Sequence, residues 1–308
     1  MSRQSLIQIF LLTFFSMVAF SANAVICRWA LDHQLIDPMS FTSLRLGSAA
    51  VVLFAVMSWF QWQKKSTPKD SAETLSSNIS RGSWRAAFIL FVYALTFSYG
   101  YVAISTSTGA LLLAGIVQLT MLGYAVRKGE KLHLAEWIGV AIALIGLLYL
   151  VYPKLTTPSW WGLVIMSISA YTWALYTLNG HKSLNPLSDT AFNFYRTLPM
   201  IVVASVFSLW LTEHSFITYK GFVLAILSGG ATTALGYILW YSALPKISSS
   251  MASASQLLVP LMAAFGAMLL INEPITLSFL IAAALMLGGL GLVVHGRNQH
   301  RKSALKAN

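Results

Sequence analysis

The sequence contains very little charge for its length. Only 9% of its 308 residues are Asp, Glu, Lys or Arg, whereas 57% are hydrophobic, and the mean hydropathy is +0.70. A soluble globular protein carries about 25% charged residues, because its surface faces water. The shortage of charge therefore excludes a water-soluble globule and predicts an integral membrane protein.

Groups that usually carry enzyme or metal chemistry are also scarce. A single cysteine, Cys27, excludes an internal disulfide and a cluster of cysteine ligands. The chain has neither a Gly-x-Ser-x-Gly nucleophile motif nor a His-Glu-x-x-His metal motif. We therefore expect no catalytic residues, no bound metal and no cofactor, and an intramembrane enzyme is disfavoured.

Acidic residues are absent from the middle of every apolar run. The nine acids all fall at run ends or in connections: Asp32, Asp37, Asp70, Glu73, Glu130, Glu136, Asp189, Glu213 and Glu273. A proton relay in a pump or transporter normally uses carboxylates or histidines inside the membrane. This pattern favours a facilitator or an exchanger, or coupling through the glutamates at helix ends.

What the sequence does contain is ten apolar runs, each close to the roughly 20 residues that cross a bilayer as a helix. They lie near Leu6 to Leu31, Ser40 to Trp62, Trp84 to Ser105, Thr108 to Val126, Leu134 to Tyr152, Trp160 to Gly180, Thr190 to Leu211, Tyr219 to Leu244, Ser248 to Ile271 and Ile275 to His295. The first run also resembles a cleavable signal peptide, but its length favours an uncleaved span. The predicted fold class is an all-α integral membrane protein with ten transmembrane helices.

The stretch from residue 107 to residue 147 occurs twice. Moving it forward by 143 positions places Glu130 on Glu273 and Gly146 on Gly289 without a gap. We therefore predict two five-helix repeats, residues 1–152 and 159–296, joined by a linker at 153–158 and followed by a basic tail at 297–308.

The Lys and Arg residues indicate how the two repeats are oriented. If the N terminus is cytoplasmic, most of them fall on the cytoplasmic side, as the positive-inside bias requires. The connection after the fourth span is basic, whereas its copy after the ninth has no Lys or Arg, so the repeats should be inverted. We predict both termini in the cytoplasm, a location in the inner (cytoplasmic) membrane, and no binding of nucleic acid despite the net charge of +11.

These features resemble the EamA-like family of the drug/metabolite transporter superfamily. The resemblance covers nearly the whole chain and is carried by Gly129-Glu130 with its counterpart Asn272-Glu273, by the glycines Gly146 and Gly289, and by the paired arginines Arg45 and Arg196. The family has Gly-Glu where the second copy has Asn272. The resemblance implies two inverted repeats around a central cavity, and alternating access that exports amino acids or other small metabolites.

Two arginines inside apolar spans require partners, since a central Arg costs about 2.5–3.5 kcal/mol on insertion scales. From the predicted topology, we expect Arg45 to pair with Glu273 near the outer face and Arg196 to pair with Glu130 near the inner face. Such pairs would act as gates. Snorkelling to the surface, or capture of a substrate carboxylate, are the alternatives.

Polar and aromatic residues inside the spans are the other site candidates. We expect a substrate cavity that uses Asn23, Tyr93, Phe97, Gln118, Trp173, Tyr237, Trp240, Gln256 and Pro260. Amides would bind a solute, aromatic rings would stack on it, and Pro260 would break the ninth helix. Interhelical hydrogen bonding and ordinary packing are the alternatives for these residues.

The leading functional hypothesis is a secondary exporter of amino acids or similar metabolites, whose partners are a small-molecule solute and the lipid bilayer. A phosphorylated-sugar or nucleotide-sugar exchanger would need several basic residues on the cavity, and only two arginines lie inside spans. Multidrug efflux is a further alternative, whereas inverted duplication argues against a channel. The sequence predicts neither the solute nor the oligomeric state.

Overall fold

The computed structural model describes residues 3–65, 81–127, 129, 134–151, 160–180, 183, 185–212, 215–243, 246, 255–256 and 258–307. Throughout these ranges the backbone is almost entirely helical. The one extended pairing within them is an antiparallel bridge between Ile36 and Ile217. The predicted linker 153–158 lies outside the described residues.

Ten helices follow one another in these ranges. They are α1 (Arg3–Asp32), α2 (Pro38–Lys65), α3 (Trp84–Ala103), α4 (Thr106–Arg127), α5 (Leu134–Val151), α6 (Trp160–Gly180), α7 (Pro186–Thr212), α8 (Tyr219–Ala243), α9 (Leu258–Ile271) and α10 (Leu277–Ala307). Eight are long and apolar enough to cross a membrane, and α5 and α9 contribute shorter apolar segments. Each predicted span has a helix, and the chain is a multi-pass membrane protein. Helix α10 also continues through residues 297–307, where we expected a tail beyond the span.

Helix α8 departs from regular α-helical geometry in its middle. The α-helical parts Tyr219–Ile226 and Gly236–Ala243 flank a π-helical segment, Leu227–Leu235, of sequence LSGGATTAL. Such wide turns are rare and are frequently found at functional sites. The apolar run Tyr219 to Leu244 predicts a span here, but not its π-helical middle.

The helices pack in a pattern that treats the two halves of the chain alike. Helix α1 packs against α8 and α9, and α6 packs against α3 and α4. Helix α2 lies against α7 and α8, α7 lies against α2 and α3, and α5 lies against α10. Exchanging each helix for the one five places away in the chain turns this set of contacts into itself.

Polar side chains tie the connections together at both ends of the bundle. At one end, here called the Asp37 face (residues 33–37, 104–105, 215–218 and 272–276), Asp37 accepts hydrogen bonds from the amides of Ser40 and Phe216 at 2.9 and 3.2 Å. At the opposite end, Asp189 accepts from the amide of Gly82 at 2.6 Å. Asp37, just before α2, and Asp189, on α7, thus hold connections at opposite ends of the bundle.

Helices α5 and α10 cross at glycines. A Cβ atom added to Gly289 would lie 2.5 Å from the carbonyl oxygen of Gly139 and 2.6 Å from the amide nitrogen of Ala143. One added to Gly146 would lie 2.8 Å from the Cβ atom of Leu285. Small residues let membrane helices approach closely, because lipid supplies no hydrophobic force to press them together. Gly146 and Gly289, which the 143-residue offset places on each other, therefore both lie at this crossing.

The crossing generates a prediction with an adjacent control. Replacing Gly289 by Ala should separate α5 from α10 and lower stability by about 1–3 kcal/mol, the usual cost of overpacking. Replacing Gly288 by Ala should leave stability unchanged or raise it slightly, because a Cβ atom added there meets nothing within 4 Å. Thermal unfolding in detergent measures both variants, and an equal melting temperature for the two would contradict the close crossing.

Candidate functional site

A cavity lies in the middle of the bundle, between α1, α2, α3, α4, α6, α7, α8 and the chain leading into α9. Its volume is about 70 Å³. Seven of the nine predicted cavity residues line it: Asn23, Tyr93, Phe97, Gln118, Trp173, Tyr237 and Gln256. Arg45 lines it as well.

The other two predicted cavity residues are not in its lining. Trp240 is 3% exposed and packs beside Met17, and its ring lies edge-on to Phe20 at 6.3 Å. Pro260 is buried near the start of the described helix α9, and Ser255 and Gln256 before it are helical too. The predicted helix break at Pro260 stays a prediction, because Leu257 lies outside the described residues. Trp240 does not line the cavity, so its predicted contact with a solute is not seen in this structure.

Five rings form a continuous wall, here called the aromatic column: Tyr101, Phe97, Tyr93, Trp173 and Tyr237. Successive ring centres are 4.7, 5.5, 4.9 and 5.5 Å apart. The three rings of α3 share one face because they are four residues apart. Tilted and edge-on contacts at these distances are the favoured aromatic geometry. The cavity therefore has one wall suited to an apolar or aromatic group.

Arg45 is buried beside this column, with 2% of its surface exposed. Its Nη2 donates a hydrogen bond to the carbonyl of Ala94 at 2.7 Å, and its guanidinium lies 4.9 Å from the ring centre of Phe97. No carboxylate of the described ranges forms a salt bridge with it. The structure thus differs from the predicted Arg45–Glu273 pair.

Glu273 is held by Arg28 instead. Its Oε1 lies 3.1 Å from the Arg28 Nε, and its Oε2 accepts from the Thr106 amide at 2.9 Å, at the start of α4. Arg28 also pairs with Asp32 at 2.6 Å and donates to the carbonyl of Tyr101 at 2.8 Å. A helix N-terminus favours a carboxylate, which fixes Glu273 at the Asp37 face, away from Arg45.

We call this set the Arg28 network: Arg28, Asp32, Tyr101, Thr106 and Glu273. Arg28 is not among the site residues predicted from the sequence. Its spacing of four from Asp32 was the available signal for an ion pair. Because Tyr101 also lines the cavity, the network lies at one end of the cavity and joins α1, α3, α4 and the connection before α10.

Arg196 is not among the residues that line the cavity. It donates a hydrogen bond to the carbonyl of Arg81 and lies over the rings of Trp84 and Phe192, 5.7 and 5.9 Å from their centres. Its predicted partner Glu130 is outside the described residues, so that pair stays a prediction. In this structure Arg196 joins α7 to the start of α3.

The π-helical segment of α8 contributes polar groups that the sequence analysis missed. Ser228 donates a hydrogen bond to Oδ1 of Asn23 at 2.7 Å, and the hydroxyls of Thr232 and Thr233 lie 3.4 and 3.3 Å from the same oxygen. Gly229 lies against the backbone of Arg45, where a Cβ atom would clash. The available signal was the polar run from Ser228 to Thr233 in an apolar span.

Comparison with known proteins agrees with this architecture. The model of the EamA-like transporter family matches residues 7–152 and 160–295. A solved crystal structure superposes with a TM-score of 0.63 at 15% sequence identity, covering 95% of this chain and 98% of that chain. At that identity the likeness concerns the fold alone.

Curated relatives extend along most of the chain. An uncharacterized protein of Pseudomonas aeruginosa is 39% identical over 93% of this chain and 94% of its own length. The uncharacterized transporter YoaV of Bacillus subtilis is 23% identical over 83% and 86%. A protein of Escherichia coli named "Probable amino-acid metabolite efflux pump" is 26% identical over 68% and 77%.

The partners of Glu273 generate a prediction. In thermal unfolding, R28Q and E273Q should each lower stability, and the double variant should lose less than the sum, with a coupling energy of about 1–3 kcal/mol. The pair R45Q and E273Q, which share no contact, should be additive within about 0.5 kcal/mol. Coupling of Glu273 to Arg45, but not to Arg28, would reverse the assignment made here.

Proposed function

The chain belongs to the EamA-like transporter family, and from this premise we propose that it is a secondary transporter that exports amino acids or similar small metabolites by alternating access. The observation that carries the proposal is the central cavity, which combines buried polar groups with an aromatic wall inside a bundle of membrane-spanning length. Small-molecule sites have this composition. The name of the Escherichia coli relative supports the same solute class.

We also propose that the two halves are inverted repeats. The family model matches the chain twice, over 7–152 and 160–295, and the main helix contacts between the two halves form a symmetric set. The basic connection after α4 and the uncharged connection after α9 support opposite orientations. Transporters built this way move one repeat against the other around a site near the membrane centre.

The Arg28 network is the proposed gate at the Asp37 face. It links α1, α3 and α4 to the connection between α9 and α10, so it joins elements of both halves above the cavity. Opening the cavity at this face would separate Glu273 from Arg28 and Thr106. We therefore propose Arg28, rather than Arg45, as the gating partner of Glu273.

For the location, we propose the cytoplasmic (inner) membrane, with both termini in the cytoplasm and the Asp37 face outside. The distribution of Lys and Arg supports this orientation. The exposed side chains of α1, α7 and α10 include many large apolar residues, such as Phe10, Val203 and Leu292, which suits contact with lipid.

Two alternative solute classes fit the cavity less well. A phosphorylated sugar carries at least two negative charges, but Arg45 is the sole charged side chain among the described residues of the lining. A cationic drug would need an acidic group, and those lining residues include no Asp or Glu. An export role for amino acids or related metabolites is therefore preferred.

Solute transport tests the proposal directly. Protein reconstituted in vesicles loaded with a mixture of amino acids and small organic acids should exchange internal for external labelled solute at a rate that saturates with concentration. Trp173→Ala, in the aromatic column, should reduce this rate about tenfold or more, because Trp supplies much of the stacking surface. Tyr171→Ala, 52% exposed on the same helix, should not. A rate that rises linearly without a plateau would contradict a carrier.

The inverted arrangement predicts the labelling of two single cysteines. In a C27S background, Arg127→Cys at the end of α4 and Asn272→Cys after α9 occupy related places in the two halves, and both positions are exposed. In intact cells, a membrane-impermeant thiol reagent should label residue 272 and leave residue 127 unlabelled until the cells are opened. Labelling of both from the same side would reject the inversion.

A further inference from the structure

The cavity contains one positively charged side chain that has no acidic partner among the described residues. Arg45 is the charged residue of the described lining, and its one hydrogen bond within the described chain uses Nη2. A guanidinium has five N–H donors, so most of them remain unused. A buried cation without a counter-ion is costly, and an anion in this cavity would remove that cost.

Three further polar side chains of the lining can donate hydrogen bonds to a solute. The hydroxyls of Tyr101 and Tyr237 are buried and have no partner in the described part of the chain. Asn23 has its amide oxygen engaged by Ser228, which leaves its N–H₂ group as the available end. Buried polar groups are nearly always hydrogen-bonded in native proteins. A solute rich in acceptor oxygens would satisfy these donors.

The charge and the apolar wall lie next to each other. The Arg45 guanidinium is 4.9 Å from the ring centre of Phe97, which is the second ring of the aromatic column. A carboxylate at Arg45 would therefore leave an attached ring or alkyl chain beside Phe97, Tyr93 and Trp173. Arg binds carboxylates in a planar two-point geometry.

No acidic side chain in the described lining is available for a positive group on the solute. The ammonium of an amino acid would meet ring faces and amide groups, and it would also approach the charge of Arg45. The lining therefore favours a solute with a carboxylate over a cation, and it offers an α-amino group no acidic partner.

Resting on the proposed export function, we propose that the preferred solute is a monocarboxylate with an aromatic or large apolar body, bound through its carboxylate to Arg45 and through its body to the aromatic column. An α-amino group is not required for recognition. Arg45 is thus a specificity-determining residue of the transport site, which goes beyond the assignment of amino acids or similar metabolites.

Three probes of nearly equal size test the proposal: 3-phenylpropanoate, its primary amide and 3-phenylpropylamine. Binding is measured by tryptophan fluorescence and by the melting temperature of the purified protein, since a ligand of the folded state raises it. The acid should bind about tenfold or more tighter than the amide, and the amine should bind weakest. An amide or amine that binds as well as the acid would overturn the proposal.

Two variants test whether the preference for the acid depends on Arg45. In R45Q the acid and the amide should bind equally, whereas R196Q, which changes the corresponding arginine outside the cavity, should keep the acid preference. If R45Q does not fold, the comparison of the three probes on the unmodified protein still decides. An acid preference that persists in folded R45Q would reject the assignment of Arg45.

Vesicle exchange separates this proposal from the export function. If labelled 3-phenylpropanoate, the amide and a panel of amino acids all fail to exchange saturably, the transporter proposal itself fails. If amino acids exchange while the acid neither exchanges nor competes, the transporter proposal stands and the monocarboxylate preference is wrong. Saturable exchange of the acid that R45Q abolishes supports both.

Discussion

A cation buried in a membrane-spanning bundle must find its partners within the protein, because lipid offers none. The structure contains two solutions. Arg28 pairs with Asp32 and Glu273 at the Asp37 face, whereas Arg45 contacts a carbonyl and two rings but no carboxylate of the described ranges. The first set of contacts joins four elements at one end of the cavity, where we propose the gate. The second leaves the guanidinium of Arg45 at the cavity, where we propose that it binds a solute.

Close backbone approach sets where these charges lie. Gly229 brings the π-helical segment of α8 against the backbone at Arg45, so the two helices that carry Arg45 and Tyr237 meet beside the cavity. The crossing of α5 and α10 at Gly139 and Gly289 lies apart from the cavity lining. Glycine thus serves two purposes here: it allows α5 and α10 to cross closely, and it positions the donor groups of the site.

The ten spans could be predicted because runs of about 20 apolar residues are a strong local signal. Most of the cavity lining could also be predicted, since a polar or aromatic residue inside a span needs a neighbour or a cavity. The ion-pair partners of the charged residues could not be predicted. Depth along a helix placed Arg45 and Glu273 near the same face, but it does not say which helices are adjacent, and the amide of Thr106 holds Glu273 near Arg28. The π-helical segment was missed because it depends on tertiary contacts with Asn23 and Arg45.

The proposed duplication relates Arg45 to Arg196, but the two arginines make different contacts in the structure. Arg45 lines the cavity, while Arg196 binds a backbone carbonyl at the opposite end and packs over Trp84. In the proposed alternating access, symmetric helix packing would let the two halves move against each other. A solute with a charged and an apolar end, however, is asymmetric and needs one charge rather than two. Conservation of the packing together with divergence at the arginines would allow one fold to satisfy both requirements.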